Sequence, residues 1–423
     1  MIIPYLRQDL EIFRGNSRED GSPAWLLYDA VRNKYFTVGL TAFRLIKNWR
    51  GGEDIQNFEK KINSQGIETT GDEIKSFVGF LQQNNLIIQP QGQGVPYLMQ
   101  QKNSLKKSWI MNLIHSYLFF KIPLFTPDEW LGRTLDKVKF LGSKKIRNII
   151  YILGFIGLFF VIQQFENFTK TFLYFFSLKG LMIYFITLVF VKCLHELGHA
   201  YIAKYHGCKV SAIGIAFLVF FPFLYTDTTD AWRLRNHKDR LLINFAGILT
   251  ELHLALIATF VWGVLPEGGL KSAAFFIATT SWISSIAINV SPFMRFDGYY
   301  VFSDWLKAEN LQPRSFALAK WKIRETLFGF NHKPPEEISP SRRWTFIIYA
   351  WSTWVYRFFL FIGIALLVYY FAFKVLGIIL FAIEIYWFIM LPIIKEMKQW
   401  WMMRSEMKLN KQTFRTISIL TIT

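Results

Sequence analysis

Two histidines four residues apart, with an acid beside the first, stand in an otherwise apolar stretch: His195-Glu196-Leu197-Gly198-His199. Positions i and i+4 of a helix share one face, so both imidazoles can reach one metal ion, and Glu196 is close enough to act on a water bound to it. A catalytic zinc takes three protein ligands and keeps one position for water. A third donor is therefore required. His206 does not fall where the longer HExxHxxGxxH pattern would need it, because that position is Tyr205. Asp297 is the better donor; it stands near the end of the run NVSPFMRFDG over residues 289–298. The bland alternatives are a wet helix end with an incidental acid for the histidines and an Asp-Gly turn for Asp297. A glutamate and two histidines inside an apolar run are costly without a function, which favours the metal.

These residues need a membrane to hold them. Of 423 residues, 52% are hydrophobic and 18% aromatic while 18% are charged, which is too apolar for a purely water-soluble fold. Runs long enough to cross hydrocarbon begin only after residue 148, at 149–165, 180–202, 241–264, 272–291, 345–371 (interrupted by Arg357) and 375–394. Residues 211–225 are apolar too, but Gly214 and Pro222 break a run already too short, so that stretch reads as re-entrant or packed against protein. The 48 Lys and Arg against 30 Asp and Glu leave a net charge of +18, which calls for nucleic acid or an anionic membrane face. Cytoplasmic loops carry the basic excess: Arg133 to Arg147 precede the first span, Arg233 to Arg240 the third, and nine basic residues fill Arg295 to Arg343. A six-span arrangement in a bacterial inner membrane, with both termini cytoplasmic, satisfies every loop. It returns Asp297 to the face of His195 and His199, accounts for the charge as lipid-facing cations, and leaves no need for a nucleic-acid partner. Two cysteines, Cys193 and Cys208, exclude a disulfide-stapled secreted framework. The opening twenty residues are not those of a cleavable signal peptide.

The expected fold is an α-helical polytopic membrane protein of about six spans plus one re-entrant segment, with a small N-terminal α+β winged-helix-like cytoplasmic domain. That domain covers 1–92: residues 24–28 and 34–38 predict a hairpin, and helical patterns follow at 40–48, 53–64 and 72–84, the last opened by Thr70 or Gly71. Residues 93–148 form an aromatic and basic connector lying along the membrane interface. Residues 149–300 hold the metal core, 301–344 a basic loop, 345–394 two further spans, and 395–423 a basic tail.

HELGH followed by NxxPxxxFDG resembles the site-2 protease family of intramembrane zinc metalloproteases, across roughly residues 149–300. The resemblance implies zinc as cofactor, His195, His199 and Asp297 as ligands, Glu196 as general base, and Asn289 as the residue that positions the substrate strand or polarises its carbonyl. One departure stands out. Where that family often has AGPxxN, this chain reads Ala246-Gly247-Ile248-Leu249-Thr250-Glu251, so Glu251 is either a buried acid coupled to the site or an acid lining an aqueous cavity. The segment from Tyr225 to Leu234 and the RFDGYY run at 295–300 are similar to the bacterial peptide zinc metalloproteases encoded near peptide-secretion systems. That likeness implies a leader-peptide-recognising N-terminal domain. Larger members carry a periplasmic adaptor; this chain stops at Thr423 without one, so an adaptor is a separate subunit or is not needed.

The expected activity is hydrolysis of a peptide bond in a peptide precursor or membrane-anchored segment, with lipid and a peptide or membrane-protein substrate as partners and an ABC exporter and adaptor subunit as candidates. Two rivals stay open. One is a secretion scaffold with structural zinc; the other is an ion-coupled transporter using Glu251, His253 and Asp297. Cys193 reads as packing, Cys208 and His206 as helix-end residues, His115, His237 and His332 as surface, and Arg357 as facing a protein partner or snorkelling.

Overall fold

A capping box opens the last helix of the N-terminal module, and of the two openings left by the sequence Thr70 is the cap: Thr70 accepts from the Glu73 amide at 3.4 Å while the Glu73 carboxylate accepts from the Thr70 amide at 3.2 Å. The computed structural model describes residues 2–15, 22–88, 119–173, 178–218, 221–283, 288–371 and 374–403. Part of the connector with His115, and most of the tail, lie outside the described residues. The module contains β1 (Leu10–Arg14), β2 (Trp25–Asp29) and β3 (Lys34–Val38) in one antiparallel sheet, then α1 (Leu40–Lys47), α2 (Ile55–Ser64) and α3 (Gly71–Gln83). The expected hairpin and three helices are present, and β1 adds a third strand. Ile3, Phe58, Ile62, Ile74 and Val78 form its buried core.

One polar group sits in this module without any exposure. Asp29 is 0% exposed and accepts from Arg7 at 2.9 and 3.1 Å and from Arg32 at 2.5 Å. Burial pushes its carboxyl up, but the hydrogen bonds from Arg7 and Arg32 outweigh burial and hold it below the usual carboxylate range. A group depressed in the folded state contributes stability above its unfolded pKa and loses it as pH falls through the folded one, here below about pH 4. Asp29→Asn removes the anion that Arg7 and Arg32 share, leaving them Asp9 and the Asn84 carbonyl, and costs about 2 kcal/mol. Hydrogen exchange on the full chain at neutral pH checks this: Leu26 and Leu27 amides lose protection in the variant, and unchanged protection refutes it.

Next come β4 (Phe119–Phe125), α4 (Asp128–Val138), α5 (Lys144–Gln163), α6 (Phe165–Leu173), α7 (Leu178–Tyr205), β5 (Ile213–Leu218), β6 (Phe221–Thr226), α8 (His237–Val264) and α9 (Gly269–Ile283). Residues 213–226 form a β-hairpin, and β4 pairs with its first strand, giving the order β4-β5-β6. Both central-strand edges are therefore covered, and Ile213 is buried against Leu131 of α4 and Ala200 and Ala203 of α7. Gly214 sits so close to the Ile122 carbonyl and Pro123 that a Cβ would collide with both. The helices approach one another through small residues, as membrane helices do: Gly154 and Gly157 of α5 press on Leu256 and Phe260 of α8. Ile152, Phe155 and Phe159 on α5 and Leu181, Phe185 and Ile186 on α7 point outward. Only hydrocarbon matches such faces.

The chain divides into two compact units, Met1–Asn289 and Val290–Thr423. The second contains α10 (Asp297–Trp305), α11 (Leu311–Phe328), α12 (Pro340–Phe371), α13 (Lys374–Glu384) and α14 (Leu391–Met402). Its core joins Tyr299, Leu311, Leu318, Phe346 and Tyr349. Side chains from α11 and α12 hold the loop that leads into α10: Tyr349 donates to the Pro292 carbonyl at 2.8 Å, and Gln312 to the Phe293 carbonyl at 3.3 Å. Arg357 reaches the same carbonyl at 3.4 Å and lies over the Phe316 ring. Its cation thus faces this unit's own backbone, because a buried carbonyl and an aromatic face are the nearest electron-rich groups.

Four helices among the described residues are long and apolar enough to cross a membrane: Lys144–Gln163, Gly180–Tyr205, His237–Val264 and Pro340–Leu366. They coincide with the first, second, third and fifth expected spans. The stretch expected as a fourth span holds the 15-residue α9, and the sixth falls on the shorter α13 and α14, joined by a π-helical turn over Ile385–Met390.

Candidate metal centre

Both histidines of the HELGH run lie on the face of α7 that packs on α8. His195 and His199 are 4% and 8% exposed, and their Nε2 atoms stand 3.2 Å apart. The close approach is possible because α8 presents Gly247 there; a Cβ at that position would collide with Nε2 of both rings and Cε1 of His195. Gly198 plays the reciprocal part on α7: a Cβ there would collide with Thr250 Oγ1 and crowd the Ala246 carbonyl. Glycines on both helices bring the backbones together and leave a cradle that only the imidazoles fill.

The other ring nitrogens fix the tautomers. His199 Nδ1 donates to the Ile243 carbonyl at 2.7 Å; a carbonyl has no proton to give, so Nε2 is the unprotonated nitrogen. His195 Nδ1 stands 3.0 Å from Glu251 Oε1, out of hydrogen-bond alignment; the carboxylate charge there favours the proton on Nδ1 and leaves Nε2 unprotonated as well. Two unprotonated nitrogens at 3.2 Å repel through their lone pairs unless an electron-pair acceptor lies between them. Zinc–nitrogen bonds of about 2.0–2.1 Å at a tetrahedral angle separate the nitrogens by about 3.4 Å. The donor pair fits zinc.

Behind the rings, Glu251 is 0% exposed and gathers three partners: Lys192 Nζ at 2.8 Å, His195, and Asn289 Nδ2, which donates to Oε2 at 3.0 Å. Glu196, next to His195 on α7, is half-buried. Its backbone carbonyl accepts from Thr226 Oγ1 at 3.1 Å, which ties the end of β6 to the histidine helix. The segments on either side of the β5–β6 hairpin in turn meet the N-terminal module. Asn33 Nδ2 donates to Ser211 and Asp227 at 3.1 and 3.2 Å, and the Tyr35 hydroxyl donates to Asp230 at 2.5 Å. Burial, together with that hydrogen bond, pushes the Tyr35 phenol far above its ordinary value.

Of the residues singled out in the sequence, the first unit brings His195, His199, Glu251 and Asn289 together, with Glu196 next to His195 on α7. Asp297 belongs to the second unit, where it is the first residue of α10 after Phe296. Cys193 is exposed and Cys208 is buried. His253 faces Tyr151, 5.7 Å between ring centroids. Sequence reasoning missed Lys192 and Gly247. Lys192 carried a usable signal: a lysine in an apolar run, one turn before His195, needs an acidic partner, and Glu251 on a neighbouring span is the matching charge.

Comparison with known proteins follows the same stretch of chain. The model of Peptidase family M50 matches residues 182–411, more than half of the sequence. A curated Bacillus subtilis (strain 168) protein, named "Putative peptide zinc metalloprotease protein YydH", is 24% identical over 131 residues, which are 31% of this chain and 49% of that protein. The chain thus spans about half the length of that relative. No solved structure matches the chain.

Proposed function

We propose that this chain, which belongs to peptidase family M50, is a membrane-embedded zinc endopeptidase of the site-2 protease type that cuts a peptide precursor or a membrane-anchored segment. The observation that carries the reading is the histidine pair, with His199 Nδ1 bonded to the Ile243 carbonyl, His195 Nδ1 3.0 Å from the Glu251 carboxylate, and the two Nε2 atoms 3.2 Å apart between α7 and α8. His195 and His199 would hold the metal, with Asp297 as third ligand from the NxxPxxxFDG run. Bound zinc polarises a peptide carbonyl and lowers the pKa of a water molecule towards about 7.

The remaining steps belong to side chains. Glu196 takes the proton from the attacking water and delivers it to the leaving amine, the usual double duty of a general base. Asn289, whose amide nitrogen is engaged by Glu251, positions the substrate strand through its carbonyl oxygen. The substrate must be unwound to expose its backbone, and β6, paired on one side to β5, offers the other edge to it. The N-terminal module, winged-helix-like in this reading, presents the substrate; its contacts with Asp227 and Asp230 adjoin β6, whose last residue, Thr226, bonds the Glu196 carbonyl. The same reading takes six spans in a bacterial inner membrane, both termini cytoplasmic, and a place in peptide maturation or export beside an ABC exporter.

Metal removal tests it. The full chain, purified in detergent and incubated with leader-bearing and hydrophobic peptides, is expected to release fragments visible by mass spectrometry, to stop on chelation, and to resume when Zn2+ is added back. A chain that retains zinc and cleaves none of them favours the scaffold.

A further inference from the structure

A fully buried carboxylate at membrane depth persists only where every oxygen is engaged. Glu251 meets that condition: Oε1 takes Lys192 and stands against His195 Nδ1, and Oε2 takes the Asn289 amide. It touches His195 on the ring nitrogen opposite the one that faces His199, so it is not placed as a ligand. We propose that Glu251, with Lys192 as its counterion, is the positioning carboxylate of the metal centre: it fixes the tautomer and orientation of His195 and ties Asn289 to the same atom group. The inference rests on the zinc reading.

The two histidines are then unequal. His199 leans on a backbone carbonyl, whereas His195 leans on an ion, which makes its ring the more basic donor. The Lys192–Glu251 pair is neutral as a whole, so it orients the ring without adding net charge behind it. Lys192 stands one turn before His195 on the same helix, and its ammonium and the imidazole share Oε1. Asn289 is the last residue of the unit that carries the histidines and opens the run that ends at Asp297. One carboxylate thus holds a ligand on α7 and the start of the motif that supplies the proposed third ligand.

The test is Zn2+ affinity of the detergent-purified full chain, by competition with a chromogenic chelator. Glu251→Gln is expected to bind Zn2+ about 10- to 100-fold more weakly, and its Co2+-loaded form to show shifted visible bands. Those bands report ligand geometry, which a residue that merely packed the helices would leave alone. Because Glu251→Gln strands a lysine, the paired variant Lys192→Met with Glu251→Gln is measured too, and is expected to keep helical content and show the same loss. Zn2+ affinity within twofold of the natural chain, with unshifted Co2+ bands, in either folded variant overturns the proposal. His195→Ala separates this from the zinc reading: if it also binds Zn2+ normally, the metal centre itself is misassigned and both ideas fall. If it loses Zn2+ while Glu251→Gln does not, only the role of Glu251 falls.

Discussion

Glu196→Gln abolishes peptide cleavage and leaves zinc content close to that of the natural chain. The substitution keeps the size and reach of the side chain, and the bond that Thr226 makes is to the backbone carbonyl of residue 196, not to its carboxylate. Histidine placement depends on Gly247, Ile243 and Glu251, none of which touches the Glu196 side chain in the contacts described. What disappears is the group that accepts a proton from the attacking water. A positioned general base contributes about 10²- to 10⁴-fold, so fragments fall below detection in an ordinary assay. Metal analysis beside mass spectrometry of the same preparation reads both halves. Surviving maturation or export in a Glu196→Gln strain ends the enzyme reading and leaves a zinc-bearing scaffold.

The parts of this fold that could be read in the sequence were those set by local pattern. Apolar runs located four helices that can span, the i,i+4 spacing located the histidine face, and Thr70 with Glu73 located the start of α3. Pairing between distant segments could not be read that way. Residues 119–125 and 213–218 lie some ninety positions apart in the chain, and nothing local in either announces the other. Gly214 and Pro222 read as interruptions of a span, yet in the sheet Gly214 admits the backbone of β4 and Pro222 sits on the edge strand, where a missing N–H costs nothing in the ladder. The same limit applies at the site. His195, Glu196 and His199 announce themselves by spacing, whereas Lys192 and Gly247 acquire meaning only when α7 is laid against α8, and Glu251, singled out with two roles open, gains its partners only there. Arg357 shows the converse: the intramembrane cation was expected to face a protein partner or to snorkel, and it reaches a carbonyl and an aromatic ring of its own unit.

Gly247→Ala is expected to weaken zinc binding about a hundredfold and to lower thermal stability, although glycine to alanine inside a helix ordinarily stabilises by about 1 kcal/mol. The reversal of sign is what makes the variant informative. At this position the new methyl lies inside van der Waals contact with both imidazoles, and the backbones have no room to yield in the other direction, since Gly198 already rests on Thr250 and the Ala246 carbonyl. Either the rings rotate away or α7 and α8 separate. Separation costs about 1–3 kcal/mol as overpacking. Rotation breaks the Ile243 and Glu251 contacts that orient the rings, and losing such outer-shell partners costs about 10- to 100-fold in metal affinity. Gly363→Ala on α12, where nothing lies within 4 Å of the added carbon, supplies the control and should melt no lower than the natural chain. Chelator competition and melting curves on the two variants decide the matter. If Gly247→Ala binds Zn2+ and melts like Gly363→Ala, the histidines do not meet in the cradle between α7 and α8, and the metal centre must be sought elsewhere on the chain.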